Sequence, residues 1–341
     1  MEAERFIGID IGGTKCTVTS GDGYGNILTK HCFATDHVGG WQRVIAEAVQ
    51  IVEKLHPEKA QAIGVSCGGP LNSHTGIISS PPNLPGWNNV PIVQTLEEKF
   101  HIPVFLQNDA NACTLAEWMF GAGKGMRNMI FLTFGTGMGA GLILDNTLYT
   151  GRNGNAGEIG HIRLENFGPV GFGKVGSFEG FCSGGGIAQL GRSYAHCKLQ
   201  AGETTAYCSS MGELEGITAL GVAQAALAGD EAAIRVYQTA GTYLGRGLSV
   251  LMDILNPDVI ILGSIYGRSG QLLQTYMEKT IYEEALHSSI CPVVPAMLGE
   301  NVGNLAALCV GIEGLRRQKR KDKGTLPIAC SHNENLSQRI I

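Results

Sequence analysis

Over the first 35 residues, apolar side chains alternate with polar or small ones in short runs separated by glycine. A period of two is typical of β-strands that bury one face. The pattern predicts a β-meander over residues 6–35. Its first turn, residues 12–15 (Gly-Gly-Thr-Lys), is followed by the β-branched residues Thr17, Val18 and Thr19. These residues favour a strand, so the turn joins a strand to a strand.

Helical spacing begins after this meander. Residues 40–55 place Val44, Ala48 and Val52 on one stripe, as expected for an amphipathic helix. Short apolar runs further along predict buried strands. The remaining predicted elements are strands over 62–66, 104–107 and 257–264, a loop over 79–91, and helices over 92–100, 108–120, 187–255 with a polar break at 203–210, 271–286 and 303–315.

The arrangement of the first hairpin recurs in the middle of the chain. Residues 129–150 contain an apolar strand, a glycine turn with a threonine, and a second apolar strand. Neither turn has the GxxxxGK[ST] or GxGxxG spacing, which disfavours a P-loop or a dinucleotide fold. A glycine turn still offers backbone N–H groups to an anion. The repeat predicts two similar halves that hold a nucleotide between them, although each turn alone is also explained as a structural hairpin.

Composition narrows the class of protein. The chain has 341 residues, of which 44% are apolar and 16% charged, which fits a folded protein of two domains. The net charge of −5 gives no reason to expect a nucleic-acid partner. The ten cysteines are scattered, which favours reduced thiols over disulfides. The longest apolar run, over 129–144, is interrupted by glycines and is too short for a membrane-spanning helix. The N-terminus does not resemble a signal peptide. We therefore expect a cytoplasmic protein without a membrane partner.

Six motifs in register resemble the ROK family of sugar kinases and sugar-responsive repressors, and the resemblance covers residues 6 to about 315. They are DIGGTK (10–15), NLPGW (83–87), QNDANA (107–112), TFGTGMGAG (133–141), GEIGH (157–161) and ILGS (261–264). The resemblance implies an α/β fold of the actin, hexokinase and heat-shock ATPase superfamily, with two similar ribonuclease-H-like lobes and a ligand cleft between them. We expect an N-terminal lobe over 1–118, a C-terminal lobe over 119–302, a closing helix over 303–315 that packs back on the N-terminal lobe, and a disordered charged tail over 316–341.

The resemblance also implies roles for individual residues. Asp109 is similar to the catalytic base of the family, and Asp10 would orient Mg²⁺ directly or through water. The implied sugar-binding residues are Gly69, Asn83, Asn108, Glu158, His161 and Glu179. The implied ATP-binding residues are Asp10, Gly12, Gly13, Thr14, Lys15, Gly135, Thr136, Gly137, Gly263 and Ser264. These roles have structural alternatives. Asn108 and Asp109 could serve only to begin a helix, because Asn and Asp are preferred helix N-caps. Glu158 and His161 could form a surface ion pair.

The sequence departs from the family at one place. The family usually carries a structural zinc site built from a histidine and the three cysteines of a CxCGxxGCxE stretch. The corresponding run here is VGFGKVGSFE (170–179), which puts Val170, Phe172 and Ser177 at the cysteine positions. Zinc needs about four N, S or O ligands, and His161 with the off-register Cys182 cannot supply them. We therefore predict no structural zinc, and we expect Val170 and Phe172 to pack the loop instead.

These observations favour an ATP-dependent kinase that phosphorylates the primary hydroxyl of a hexose, similar to glucokinase. A kinase of an N-acetylated amino sugar, such as N-acetylmannosamine or N-acetylglucosamine, would use the same residues. A sugar-responsive regulator is disfavoured, because the first hairpin begins at Phe6 and leaves no room for a preceding helix-turn-helix domain. The expected partners are a small sugar and ATP. Relatives in this family are often homodimers, but the sequence shows no interface signal.

Overall fold

The computed structural model describes residues 4–135, 137–299 and 302–323, and within these ranges the chain forms two five-stranded sheets flanked by helices. The first half contains β1 (Arg5–Ile11), β2 (Lys15–Asp22), β3 (Ile27–Ala34), α1 (Gly40–Lys54), β4 (Ala60–Cys67), β5 (Leu71–Asn72), β6 (Ile77–Ile78), α2 (Ile92–Phe100), β7 (Val104–Asn108) and α3 (Asp109–Phe120). The predicted meander over 6–35 is therefore confirmed as three strands.

The second half continues with β8 (Met129–Phe134), β9 (Met138–Leu144), β10 (Thr147–Tyr149), β11 (Val170–Gly171), β12 (Lys174–Val175), α4 (Phe178–Cys182), α5 (Gly184–Gln200), α6 (Ala219–Leu227), α7 (Glu231–Leu255), β13 (Val259–Leu262), α8 (Ile265–Glu284) and β14 (Val293–Pro295). The polar break in the helical region runs from 201 to 218, longer than predicted. Thr218 ends it by capping α6 through a hydrogen bond from the Gly221 N–H.

The two large sheets have the same topology. The first has the order β3-β2-β1-β4-β7, and the second has the order β10-β9-β8-β13-β14. In each sheet a three-stranded antiparallel meander is extended by two strands parallel to its first strand. The shared order and direction agree with the two similar halves that the repeated glycine hairpin predicted, and the two-lobed α/β fold is confirmed.

The last helix, α9 (Val302–Asp322), packs against β1 and β4 of the first sheet and against α3. The approach is very close at Gly64, where a Cβ atom would lie 2.0 Å from the carbonyl oxygen of Ala307. Only glycine therefore lets the helix reach β4.

The expectation of a disordered tail from residue 316 is wrong for residues 316–322, which continue the helix. Glu313, which is 3% exposed, pairs with Arg320 about two turns further on. The last turn carries Lys319, Arg320 and Lys321. Positive charge stabilises the C-terminal end of a helix, so this basic run favours helix and not coil. The rest of the predicted tail, from residue 324, lies outside the described residues.

The nine cysteines within the described residues are free. None of the described helices is long and apolar enough to cross a membrane.

Candidate active site

A cavity of about 990 Å³ lies between the two halves of the chain. Residues of β7 and of the loops near β7 line one side of it, and residues of the β8–β9 hairpin and of the segment 154–179 line the other. Predicted site residues that line it are Gly69, Asn83, Asn108, Asp109, Gly135, Gly137, Glu158, His161 and Glu179. The structure thus brings together in one cavity the predicted catalytic base and all six predicted sugar ligands.

Two aspartates lie where parallel strands end at one edge of the first sheet. Asp109 lines the cavity, whereas Asp10 is close enough to repel it but is not among the lining residues. Asp10 near the end of β1 pairs in register with Ser66 of β4, and Cys67 of β4 pairs with Asn108 of β7. Asp109 follows Asn108 directly and begins α3. Asn108 is the N-cap of this helix, and its Oδ1 accepts the N–H of Asn111 at 2.7 Å. The capping role is therefore real, and it uses the amide oxygen of Asn108 and not its amide nitrogen.

Both carboxylates have raised pKa values. Burial is the main reason that the pKa of Asp10 rises from 3.8 to about 6; a hydrogen bond with Ser66 opposes the rise, and repulsion from Asp109 adds to it. Burial also raises the pKa of Asp109, against a hydrogen bond from the Ala110 N–H to Asp109 Oδ1 at 2.8 Å. The Asp109 side chain is open to the water of the cavity while protein surrounds it on its other sides. Such an environment favours proton uptake by a carboxylate.

The first glycine turn does not line the cavity but lies directly behind it. A Cβ atom on Gly13 would lie 2.8 Å from the backbone oxygen of Asn83, so the turn and the loop that carries Asn83 are in contact. The turn is closed by a hydrogen bond from the Gly12 N–H to the Lys15 oxygen at 3.1 Å, and the Thr35 N–H donates to the Thr14 oxygen at 3.0 Å. These contacts fix the backbone at a place where an anion would need fixed N–H donors.

The second glycine turn lies opposite, between β8 and β9. The Gly135 N–H donates to the Gly137 oxygen at 3.1 Å, and the Gly184 N–H donates to the Gly135 oxygen at 2.8 Å. A Cβ atom on Gly135 would meet nothing within 4 Å, so this turn borders open space that can take a ligand. Thr136, predicted to bind phosphate, lies outside the described residues.

The turn over Gly263 and Ser264 lies beside the second glycine turn and not in the cavity itself. A Cβ atom on Gly184 would touch both the Gly135 oxygen and Ile265 Cδ1, each at 3.2 Å. Ser264 has a φ of +46°, a conformation that non-glycine residues rarely adopt. Strain of this kind collects at ligand sites.

Glu158, His161 and Glu179 supply the polar groups on the second half. Glu179 Oε2 accepts the Met138 N–H at 2.9 Å, which fixes the carboxylate next to the second glycine turn. Within the described residues, Glu158 and His161 do not form the ion pair that was the structural alternative. Lys174 Nζ donates to the His161 carbonyl oxygen at 2.7 Å.

The side chains near His161 do not fit the zinc ion that the family resemblance implies. The described residues hold no group of three or more His, Cys, Asp or Glu side chains arranged to bind a metal. Ser177, at one cysteine position, is instead the N-cap of α4 and accepts the Gly180 N–H at 3.1 Å. Cys182 is fully buried, and its thiol points to the Ala240 oxygen. Absence of zinc stays a prediction for metal analysis.

The expectation that Val170 and Phe172 pack the loop is wrong. Val170 is 42% exposed and Phe172 is 74% exposed, because the two residues belong to a short β11–β12 hairpin that stands out from the core. Phe172 instead lines the cavity.

Sequence reasoning gave no site role to several residues at or beside the cavity, among them Ser66 beside Asp10, Thr133 behind the second glycine turn, Phe172 on the cavity wall and Gly184 at the start of α5. Thr133 Oγ1 accepts the Gly139 N–H at 2.9 Å and so closes the second hairpin. The GGG run at 184–186 was visible as a glycine cluster. Ser66 and Phe172 have no local signal of a site role, since only the strand register and the loop path bring them to the site, whereas Thr133 lies in the TFGTGMGAG motif.

Comparison with known proteins identifies the family. The model of the ROK family matches residues 6–313. The chain belongs to the ROK family. A glucokinase from Thermotoga maritima is 31% identical over 91% of this chain and 98% of its own length. A ROK glucokinase from Streptomyces griseus, solved in complex with glucose and AMPPNP, is 28% identical, covers 91% of this chain and 100% of its own, and superposes with a TM-score of 0.70. A putative xylose repressor from a Caldicellulosiruptor species is 27% identical over 82% of this chain and 70% of its own length.

Proposed function

We propose that this ROK protein is a glucokinase-like enzyme that transfers the γ-phosphate of ATP to the primary hydroxyl of a hexose. The observation that carries the proposal is the position of Asp109, in a cavity shared with polar side chains from both halves, with the second glycine turn at its border and the first directly behind it. The relatives named glucokinase, one of them solved with glucose and a nucleotide, support the same activity.

In this proposal the sugar lies against Asn83 and Asn108 from the first half and Glu158, His161 and Glu179 from the second. Hydroxyl groups of a sugar both donate and accept hydrogen bonds, so carboxylates, amides and an imidazole suit them. A sugar that lacks one of these hydroxyls would leave a buried polar group unpaired, at a large cost in kcat/KM.

Asp109 acts as the base that accepts the proton of the attacking hydroxyl. Its raised pKa brings the carboxyl closer to neutral pH, where a base is most effective. The Ala110 N–H holds one carboxylate oxygen, Oδ1, at 2.8 Å, which orients the group.

The second glycine turn fits the phosphates of ATP, because Gly135 borders open space. The first glycine turn would add backbone N–H donors from behind the cavity. Asp10 fits Mg²⁺, since a carboxylate oxygen is the ligand that this ion prefers. When bound, the ion would offset the negative charge that develops on the transferring phosphoryl group.

The test is a coupled assay of ADP release with Mg²⁺, ATP and a panel of hexoses that includes N-acetylglucosamine and N-acetylmannosamine. We expect turnover with at least one hexose, and Asp109→Asn should lower kcat by about a hundredfold to ten-thousandfold while sugar affinity changes only a few-fold. Asp145→Asn is the matched control, because Asp145 is exposed outside the cavity and has a positive φ that asparagine also tolerates. Folded protein without turnover on any sugar, or an active Asp109→Asn variant, would contradict the proposal.

A further inference from the structure

The segment between His161 and Glu179 forms one wall of the cavity, and hydrogen bonds hold it in place. At the base of the β11–β12 hairpin, the Val170 N–H donates to Gln189 Oε1 at 2.9 Å, and Gln189 Nε2 donates back to the Val170 oxygen at 2.8 Å. On the other strand, Lys174 Nζ donates to the His161 oxygen at 2.7 Å. The hairpin is thus fixed both to α5 and to the backbone of His161.

The tip of this hairpin has an unusual residue. Phe172 and Gly173 form its two-residue turn, with φ angles of +45° and +75°. A tight hairpin turn often demands two positive φ angles, and asparagine followed by glycine is the usual solution. A bulky aromatic residue at the first position is strained. Strain is retained where the surrounding structure enforces it, and it often marks a functional site.

The Phe172 side chain contacts the ring of His161. The two ring centroids are 5.1 Å apart, and the ring planes are nearly perpendicular, at 81°. This edge geometry is one that aromatic pairs favour. Among the described residues no hydrogen bond reaches a ring nitrogen of His161, whereas the Phe172 ring contacts the imidazole directly.

Phe172 is 74% exposed and lines the cavity, so its ring is not placed there to fill a core. The residue occupies a position at which the family resemblance implies a cysteine ligand of zinc. A metal bound to a histidine fixes the ring through one of its nitrogens. A contact with an aromatic ring orients the imidazole without using either nitrogen.

We propose that Phe172 is a positioning residue that holds the His161 imidazole toward the sugar, in place of a metal ion. This inference rests on the proposed function, in which His161 binds a sugar hydroxyl. It adds that sugar recognition in this chain depends on a ring contact at the hairpin tip and not on zinc. Both nitrogens of His161 then stay available for hydrogen bonds to the ligand.

The kinetic test compares three variants. Phe172→Leu keeps an apolar side chain but removes the ring, and we expect the sugar KM to rise by about two- to tenfold, the range of one aromatic pair, with a smaller change in kcat. Phe172→Tyr keeps the ring and should restore the wild-type KM. Phe167→Leu is the matched control, because Phe167 is a 65% exposed phenylalanine of the same segment.

The second readout does not depend on activity. The ring C–H resonances of His161, assigned by their loss in His161→Gln, should move in Phe172→Leu and stay in place in Phe167→Leu, since a neighbouring ring shifts nearby protons. Purified protein should hold far less than one zinc per chain. An unmoved His161 resonance, an unchanged sugar KM in Phe172→Leu, or stoichiometric zinc would each overturn the inference. If the wild type phosphorylates no sugar, the proposed function fails, and the resonances still decide whether the Phe172 ring lies against His161.

Discussion

Asp10 offers a direct test of the electrostatics of the site through the substitution Asp10→Asn. Burial and repulsion from Asp109 raise the pKa of Asp10 from 3.8 to about 6. One pKa unit corresponds to 1.36 kcal/mol, so an ionised Asp10 makes the folded state about 3 kcal/mol less stable than an unperturbed group would. Asparagine has the same shape and cannot ionise. The free energy of unfolding of the metal-free protein at pH 8 should therefore rise, by up to about 3 kcal/mol.

The sign of the pH dependence follows from the direction of the shift. A carboxyl whose pKa is higher in the folded state binds its proton more tightly there, so its contribution to stability is complete below pH 3.8 and is lost as the pH rises through about 6. The advantage of Asp10→Asn should be small near pH 4 and complete above pH 7.

The assay is urea unfolding followed by circular dichroism, with EDTA present, at a series of pH values. Asp22→Asn is a control of opposite sign, because hydrogen bonds from the Asn26 side chain and from the Tyr24 and Asn26 N–H groups lower the pKa of Asp22. That variant should lose stability at pH 8. The reasoning is refuted if Asp10→Asn is no more stable than the wild type at pH 8, or if its advantage is the same at every pH. Kinase activity should fall in Asp10→Asn, since Asp10 is the proposed Mg²⁺ ligand.

Three further predictions concern the frame of the site. Gly64→Ala should destabilise the protein by about 3 kcal/mol in thermal unfolding, because the new Cβ would lie 2.0 Å from the Ala307 oxygen. Glu117→Ala should cost more than about 3 kcal/mol in urea unfolding, because this buried carboxylate accepts three backbone N–H groups, two of them from residues 297 and 298. Glu179→Gln should raise the sugar KM about tenfold or more and also change the KM of ATP, because Glu179 accepts the Met138 N–H beside the second glycine turn. A Glu179→Gln variant in which the sugar KM rises and the ATP KM stays unchanged would contradict the last prediction.

The repeated pattern of strands was predictable because each strand carries its own signal. The alternation in β1 and β2, and the apolar runs of β8 and β9, depend only on which side chains face a core. The common topology of the two sheets then follows from the duplication of that pattern.

The β11–β12 hairpin gave no such signal, since each of its strands has two residues and its turn is Phe-Gly and not Asn-Gly. Its path is set by distant partners, such as Gln189 on α5.

The basic run at 316–322 was misjudged for a similar reason. Its charges suggest a solvated tail, whereas packing of the preceding turns on β1 and β4 extends the helix through it.

The position of Glu179 links the proposed sugar site to the second glycine turn, where we propose that the phosphates of ATP bind. Ser177 caps the short helix α4 and so fixes the direction in which Glu179 points. The carboxylate oxygen that accepts the Met138 N–H is the atom that a Cβ on Gly137 would approach to 2.9 Å. A ligand that draws Glu179 toward the cavity must therefore change the hydrogen bond that shapes the second glycine turn. By thermodynamic linkage, a ligand bound at that turn and a ligand bound at Glu179 change each other's binding free energy by the same amount.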